Sequence, residues 1–257
     1  GATLKFGSRK RLEIGHDSST DNTGALYAAG TSTQRITFTA NTDHPSPGYW
    51  NGLYFSRYSD DDRCYMKYCD IKYGGYDSTE NIYCYDSAPH FEQCRVMYGD
   101  GSNIYSNNQA EPIIENCELA FATDHGLYCN SDAKAHVYNS YIHHNTDYGI
   151  YLNNNSHVYM NDSNIADNDY GLYCAASNDS ADVTGTQFYH NNNYPVRMYA
   201  SEIAGLTNCT FNDNLYQLIY VYGDTIDRDS YWENHGIPYF ISSASHLHVM
   251  GISGNDN

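Results

Sequence analysis

Basic residues are scarce in this chain: Lys and Arg total 13 against 31 Asp and Glu, a formal charge of -18 over 257 residues. Nucleic acid is thereby excluded as a partner, because binding it needs a basic footprint. The same charge argues against a simple anionic lipid surface. No apolar run approaches the length of a transmembrane helix, so no membrane insertion is expected. Neither an initiating Met nor a signal peptide is present. The chain reads as an excised or processed piece of a longer one, whose other domains are candidate partners, with Gly1 and Ala2 as added residues. Metal-motif spacing is missing too: the eight cysteines match no zinc or iron–sulfur pattern, and the twelve histidines are scattered. Helix-length apolar stripes are absent, as is a leucine-rich repeat consensus.

What is present is repetition. Gly126-Leu127-Tyr128, Gly149-Ile150-Tyr151 and Gly171-Leu172-Tyr173 recur at intervals of 23 and 22 residues. Ile142 with Asn145, Ile165 with Asn168, Phe188 with Asn191 and Phe211 with Asn214 repeat every 23. Two interleaved series with one period mean one structural unit copied along the chain. Within each copy the apolar residues alternate with a period of two, and Asn, Asp, Ser and Gly fill the gaps as turn residues. The unit is therefore one coil of a solenoid with about three short strands, pairing in parallel with its neighbours about 4.8 Å away.

Three inward rows follow. Leu53, Ile82, Ile104, Leu127, Ile150, Leu172, Met198, Leu218 and Phe240 form one. Met66, Phe91, Ile114, Val137, Met160, Val183, Leu206, Ile226 and Val249 form another. Ile71, Val96, Leu119, Ile142, Ile165, Phe188, Phe211 and Tyr231 form the last. The register slips at Asp60–Arg63 and near Pro195. Upstream, Leu4 to Ile14 alternates, Asp17–Gly24 turns, two strands follow at Leu26–Ala28 and Ile36–Phe38, and the proline-bearing stretch 41–48 is a loop. Cys84, Cys129 and Cys174 share an inward row with Ser106 and Leu152 between them, about 9.6 Å apart and beyond disulfide reach. Cys69, Cys94 and Cys117 occupy adjacent rungs, where stacked thiols or one strained bridge both fit.

The stretch from Leu4-Lys5-Phe6-Gly7 through Gly24-Ala25-Leu26-Tyr27-Ala28-Ala29-Gly30-Thr31 and Ile36-Thr37-Phe38-Thr39 to Pro47-Gly48-Tyr49-Trp50-Asn51-Gly52-Leu53 resembles the opening of secreted right-handed parallel β-helix proteins of the pectate-lyase-like superfamily. The resemblance implies an all-β fold, a right-handed single-stranded parallel β-helix, in a secreted or cell-surface setting. It does not select a function, since that fold carries lyases, hydrolases, epimerases, tailspikes, adhesins and passive stalks. Residues 1–257 are expected to form a single parallel β-helix domain with irregular first coils over 1–50, regular repeats over 51–257, and about ten coils of 22–23 residues.

Alternation places Tyr128, Tyr151 and Tyr173 outward in a column that Tyr54, Tyr83 and Tyr105 extend one way and Tyr199 and Tyr220 the other. Gly126, Gly149 and Gly171 are expected to floor a shallow track beside it. Asp124, Asp147 and Asp169 form the far bank; Asn107, Asn130 and Asn153 flank the rings. Phenol rings with polar tips suit sugar contact, so Tyr105, Tyr128, Tyr151, Tyr173, Tyr199, Asn130 and Asn153 are the candidate glycan-binding residues. Stacked tyrosines also stabilise a sheet without any ligand. Carboxylates one rung apart either raise a pKa or recruit a cation. Calcium, completed by Asn145 and Asn168, is the candidate metal for Asp124, Asp147 and Asp169.

Asp124-His125-Gly126 and Asn145-Thr146-Asp147 resemble fragments of the polygalacturonase signature. Their order is reversed, Asp124 stands where a glycine belongs, and Arg-Ile-Lys is absent. A lyase would need a base such as Arg197 on a cation-lined track, whereas aspartates line this one. The reading is an extracellular or cell-surface β-helix module with a structural and glycan-binding role, and no cofactor is required. The alternative is a carbohydrate-active enzyme, hydrolase or lyase-like, using Asp124, His125, Asp147, Asp169 and Arg197. A third reading packs the tyrosine face against another chain.

Overall fold

Strands consecutive in sequence are never neighbours in a sheet among the described residues, and every named ladder is parallel. A parallel pair needs a crossover, and here the crossover is the rest of the coil. The computed structural model describes residues 1–16, 23–77, 79–227, 229–242 and 246–250. They form a right-handed parallel β-solenoid of about eight turns, fewer than the ten expected. The first sheet runs in nine strands from Thr3–Phe6 to Thr210–Asn212. The second has ten, from Leu12–Ile14 to Tyr239–Ile241, and the third has eight, from Tyr27–Ala29 to Leu206–Thr207. A two-stranded sheet, Thr225–Ile226 with His248–Val249, follows the third. The expected turn at Asp17–Gly24 falls largely outside the described residues.

The alternation that marks the sequence fills the tube. Met66, Phe91, Ile114, Val137, Met160, Val183 and Leu206 stack in register on the inside of the third sheet. Ile71, Val96, Leu119, Ile142, Ile165, Phe188 and Phe211 do so on the first. The first sheet ends there, so Tyr231 has no slot and is 78% exposed. In the second sheet Leu172 is followed by Val196 and then Ile219, not by Met198 and Leu218. Phe240 faces outward opposite Tyr220, and Tyr239 takes the place opposite Ile219. The three-residue 3-10 turn at Asp61–Arg63 absorbs the first register slip.

The turns are built from left-handed backbone and internal hydrogen bonds. Gln93, Asn116, Asn139 and Asp162, between the third and first sheets, have φ between 48 and 56°. Asn and Asp tolerate this region because their short side chains bond locally. The next residue is inward and carries a thiol or hydroxyl: Cys69, Cys94, Cys117, Ser140, Ser163, Thr186 and Cys209. Backbone N–H groups donate along the column, Cys94 to Cys117 Sγ at 3.3 Å, Cys117 to Ser140 Oγ at 3.0 Å and Ser140 to Ser163 Oγ at 3.1 Å. All eight cysteines are buried and free, so the strained bridge is not formed.

A second polar column, of buried asparagine amides, runs inside the turn from the first sheet to the second. Asn81 Nδ2 donates to Asn103 Oδ1, Asn103 to Asn145, Asn145 to Asn168, Asn168 to Asn191 and Asn191 to Asn214, at 2.9–3.3 Å. The amides come from either side of the turn. Asn145, Asn168 and Asn191 follow the first-sheet strand, whereas Asn81 and Asn103 precede the second-sheet strand. The position across from the amide is small: a Cβ on Gly126 or Gly149 would meet Asn145 or Asn168 Nδ2 at 2.9 or 3.0 Å. On Gly74 it would meet Asn81 Oδ1 at 2.8 Å.

Candidate functional site

That exchange overturns the expected glycine floor. Gly126, Gly149 and Gly171 are buried, and their missing side chains point toward the core residues Ile142, Ile165 and Phe188. The backbone turns at the strand entry, so simple alternation fails there and the residue before each glycine faces out instead. His125, Tyr148 and Tyr170 form this column, continued by Tyr194 before Pro195, with ring centroids of Tyr148 and Tyr170 5.0 Å apart and of His125 and Tyr148 5.2 Å apart. Rings, not bare backbone, occupy the space between the acidic bank and the tyrosines.

The main tyrosine column is in register: Tyr54, Tyr83, Tyr105, Tyr128, Tyr151 and Tyr173. Its next member is Arg197, followed by Tyr220, while Tyr199 lies two residues on, opposite Tyr222. Tyr83, Tyr105 and Tyr128 stack at 5.0 and 4.6 Å with planes within 15°. Their faces cover one another, so edges and hydroxyls face the solvent there. Tyr128, Tyr151 and Tyr173 are tilted by 57 and 49°. Asn107 Nδ2 donates to Tyr83 Oη at 2.8 Å and Asn130 Nδ2 to Tyr105 Oη at 3.1 Å, which fixes the rings. Asn153 ends the neighbouring strand in the same column as Asn130.

Arg197 is held inside a cage of rings. Its guanidinium lies 4.8 Å from the centroids of Tyr173 and Tyr220, 5.3 Å from Tyr222, 5.5 Å from Tyr170 and 5.8 Å from Tyr194. Cation–π attraction to partly desolvated rings is the physical basis of this placement. Its Nη2 donates to Tyr222 Oη, and its Nε is buried without a partner. The cation belongs to the tyrosine column and is not set against the aspartates by any ion pair among the described residues.

Asp147 is joined to its neighbours through the backbone: its N–H donates to Asp124 O, and its own carbonyl accepts from Tyr170 N–H, both at 2.9 Å. Burial, then the carboxylates Asp124 and Asp169, raise the Asp147 pKa; burial raises that of Asp169. Burial lowers His125 to about 4 against the opposing pull of Asp124, and its Nδ1 is buried without a partner. The expected calcium shell does not close. Asn145 and Asn168 face the interior with both amide functions used, and no group of three His, Cys, Asp or Glu side chains among the described residues is arranged for a metal.

Sequence reasoning missed the cleft at the N-terminal end of the tyrosine column. Arg11, Asn51, Tyr54, Thr79, Glu80, Tyr83 and Tyr105 line a hollow of about 340 Å³. Arg11 lies 4.6 Å over the Tyr54 ring and pairs with Glu13 at 2.7 Å. Asn51 Oδ1 is buried with no hydrogen-bond partner. Burial, reinforced by Asp124, raises Glu80 to about 8, so its carboxyl is largely protonated at neutral pH. A larger hollow of about 630 Å³ on the third sheet, beside Asp61–Arg63, is remote from these columns.

A family model described as "Right handed beta helix region" matches residues 80–235. No curated protein matches. Among solved structures, a crystal structure of pectate lyase Pel9A matches with 12% identity and a TM-score of 0.41, over 98% of this chain and 69% of that one. The family match spans more than half of a chain whose described strands pair in parallel turns, and the chain belongs to the right-handed beta helix family.

Proposed function

We propose that this β-helix is an extracellular or cell-surface module that binds a neutral or weakly charged polysaccharide along the second-sheet face. The observation that carries the reading is the cleft, where Asn51 with its unpartnered Oδ1, Thr79 and Glu80 sit beside the rings of Tyr54, Tyr83 and Tyr105. Few polar groups in a partly apolar hollow are the usual makings of a small-molecule or glycan subsite. The tyrosine column continues the same surface over several rungs, as a linear ligand requires. A charge of -18 disfavours a polyanionic chain. The likeness of the opening residues to secreted β-helices supports the extracellular setting.

A glycan array of neutral polysaccharides tests the reading. Binding by the intact chain is expected, weakened about three- to tenfold by Tyr83→Ala, a loss typical of a ring contact. Absence of binding to every glycan would leave a scaffold stabilised by aromatic columns.

A further inference from the structure

The next inference rests on that binding reading and extends it to chemistry. We propose that Glu80 and Asp124 are the acid and base of a hydrolase that cleaves the bound glycan with inversion at the anomeric carbon. Glu80 lines the cleft, and the rung above it carries no outward side chain at the matching positions, which are Gly101 and the buried Ser102. Asp124 stands exposed on the rung beyond. Two rungs and one residue along the strand separate the backbones of Glu80 and Asp124 by about 10 Å, and the carboxyls come closer where they lean together over the gap. That is close to the roughly 6.5–9.5 Å that leaves room for a water and sugar between acid and base, and well beyond the ~5 Å of a nucleophilic pair.

The environments differ as the roles require. Burial keeps the Glu80 proton in place at neutral pH, while Asp124 is open to water. Glu80 gives its proton to the glycosidic oxygen, and the bond from that oxygen to the anomeric carbon breaks with its electron pair left on oxygen. A water oxygen bonds to the anomeric carbon from the opposite face and loses its proton to Asp124. One water is consumed and one reducing end appears; solvent returns the proton from Asp124 to Glu80.

The test incubates the full chain with soluble xyloglucan, mixed-linkage β-glucan, galactomannan, arabinan and galactan. Reducing ends are assayed and the configuration of the new end is followed by NMR. Turnover with inverted configuration is expected, with Glu80→Gln and Asp124→Asn each lowering it by about 100-fold or more. Near-native far-UV spectra are expected for both variants and show that they fold. Glycan binding without reducing ends overturns the hydrolase and leaves the binding reading standing. No binding at all overturns both. Release with retained configuration, or activity that survives Glu80→Gln, removes the proposed pair.

Discussion

Asn168 Oδ1 accepts two hydrogen bonds from Asn145, from its backbone N–H at 3.0 Å and from its Nδ2 at 2.9 Å. Asn168 Nδ2 in turn donates to Ile142 O at 3.2 Å and Asn191 Oδ1 at 3.3 Å. The Asn168→Ala substitution leaves buried donors and acceptors on both neighbouring rungs without partners. A loss of about 2–4 kcal/mol is expected, read from the urea midpoint. Gln187→Ala, at an exposed strand position with ordinary backbone, is the control and should cost less than about 0.5 kcal/mol.

Gly149 gives a sharper contrast. A methyl group there would sit 2.6 Å from Ile165 Cγ2, 2.8 Å from Gly171 O and 3.0 Å from Asn168 Nδ2. Its backbone φ is ordinary, so the requirement is space, not conformation. Gly149→Ala should destabilise by about 1–3 kcal/mol or more through overpacking, while glycan affinity of the folded fraction stays within about twofold. Had the glycine floored an outer track, affinity would change and stability would not.

The Glu80 carboxyl makes stability depend on pH. Its folded pKa, about 8, lies above its ordinary 4.5, so the folded state holds the proton more tightly than the unfolded one. Its contribution is fully present below pH 4.5 and is lost as pH rises toward 8. His125 works oppositely between about 4 and 6.5, where the unfolded state binds the extra proton. The window from pH 6.5 to 8 lies above the His125 range and holds the Glu80 change. The urea midpoint of the wild type should fall across it, and Glu80→Gln should remove most of that slope.

The thiol column predicts both chemistry and tolerance. Iodoacetamide should label the folded protein very slowly and all eight cysteines once it is denatured, as read by mass spectrometry. Cys117→Ser should cost less than about 1 kcal/mol, because Ser140 and Ser163 already make the same bonds one and two rungs away. Cys117→Ala removes the acceptor of the Cys94 N–H and should cost about 1–3 kcal/mol.

The inward rows were readable because each copy repeats one spacing, and a one-residue slip in register would have buried polar residues. The limits are equally physical. Val196 and Met198 both face inward, so periodicity alone does not say which continues the row from Leu172, and a two-residue shift preserves every face. Choosing Met198 put Tyr199 where Arg197 belongs. The glycines misled for another reason: period-two reasoning holds along a strand and fails where the backbone bends into it. Asn145 and Asn168 looked like surface donors because their role as an internal column appears only when adjacent coils are stacked. Glu80 carried no repeat signal, since the same position is Ser102, His125 and Tyr148 on the following rungs.

The matching registers of Leu127 and Ile150 have a wider reach. Since each layer touches only the layers above and below, excision of 127–149 would bring Gly126 directly before Ile150 and restore an equivalent layer. The molecule would shorten by one step while the flanking layers kept their surroundings. Its length is thus a modular quantity, open to gain or loss of whole layers, and the reach of any ligand lying along it is counted in the same steps.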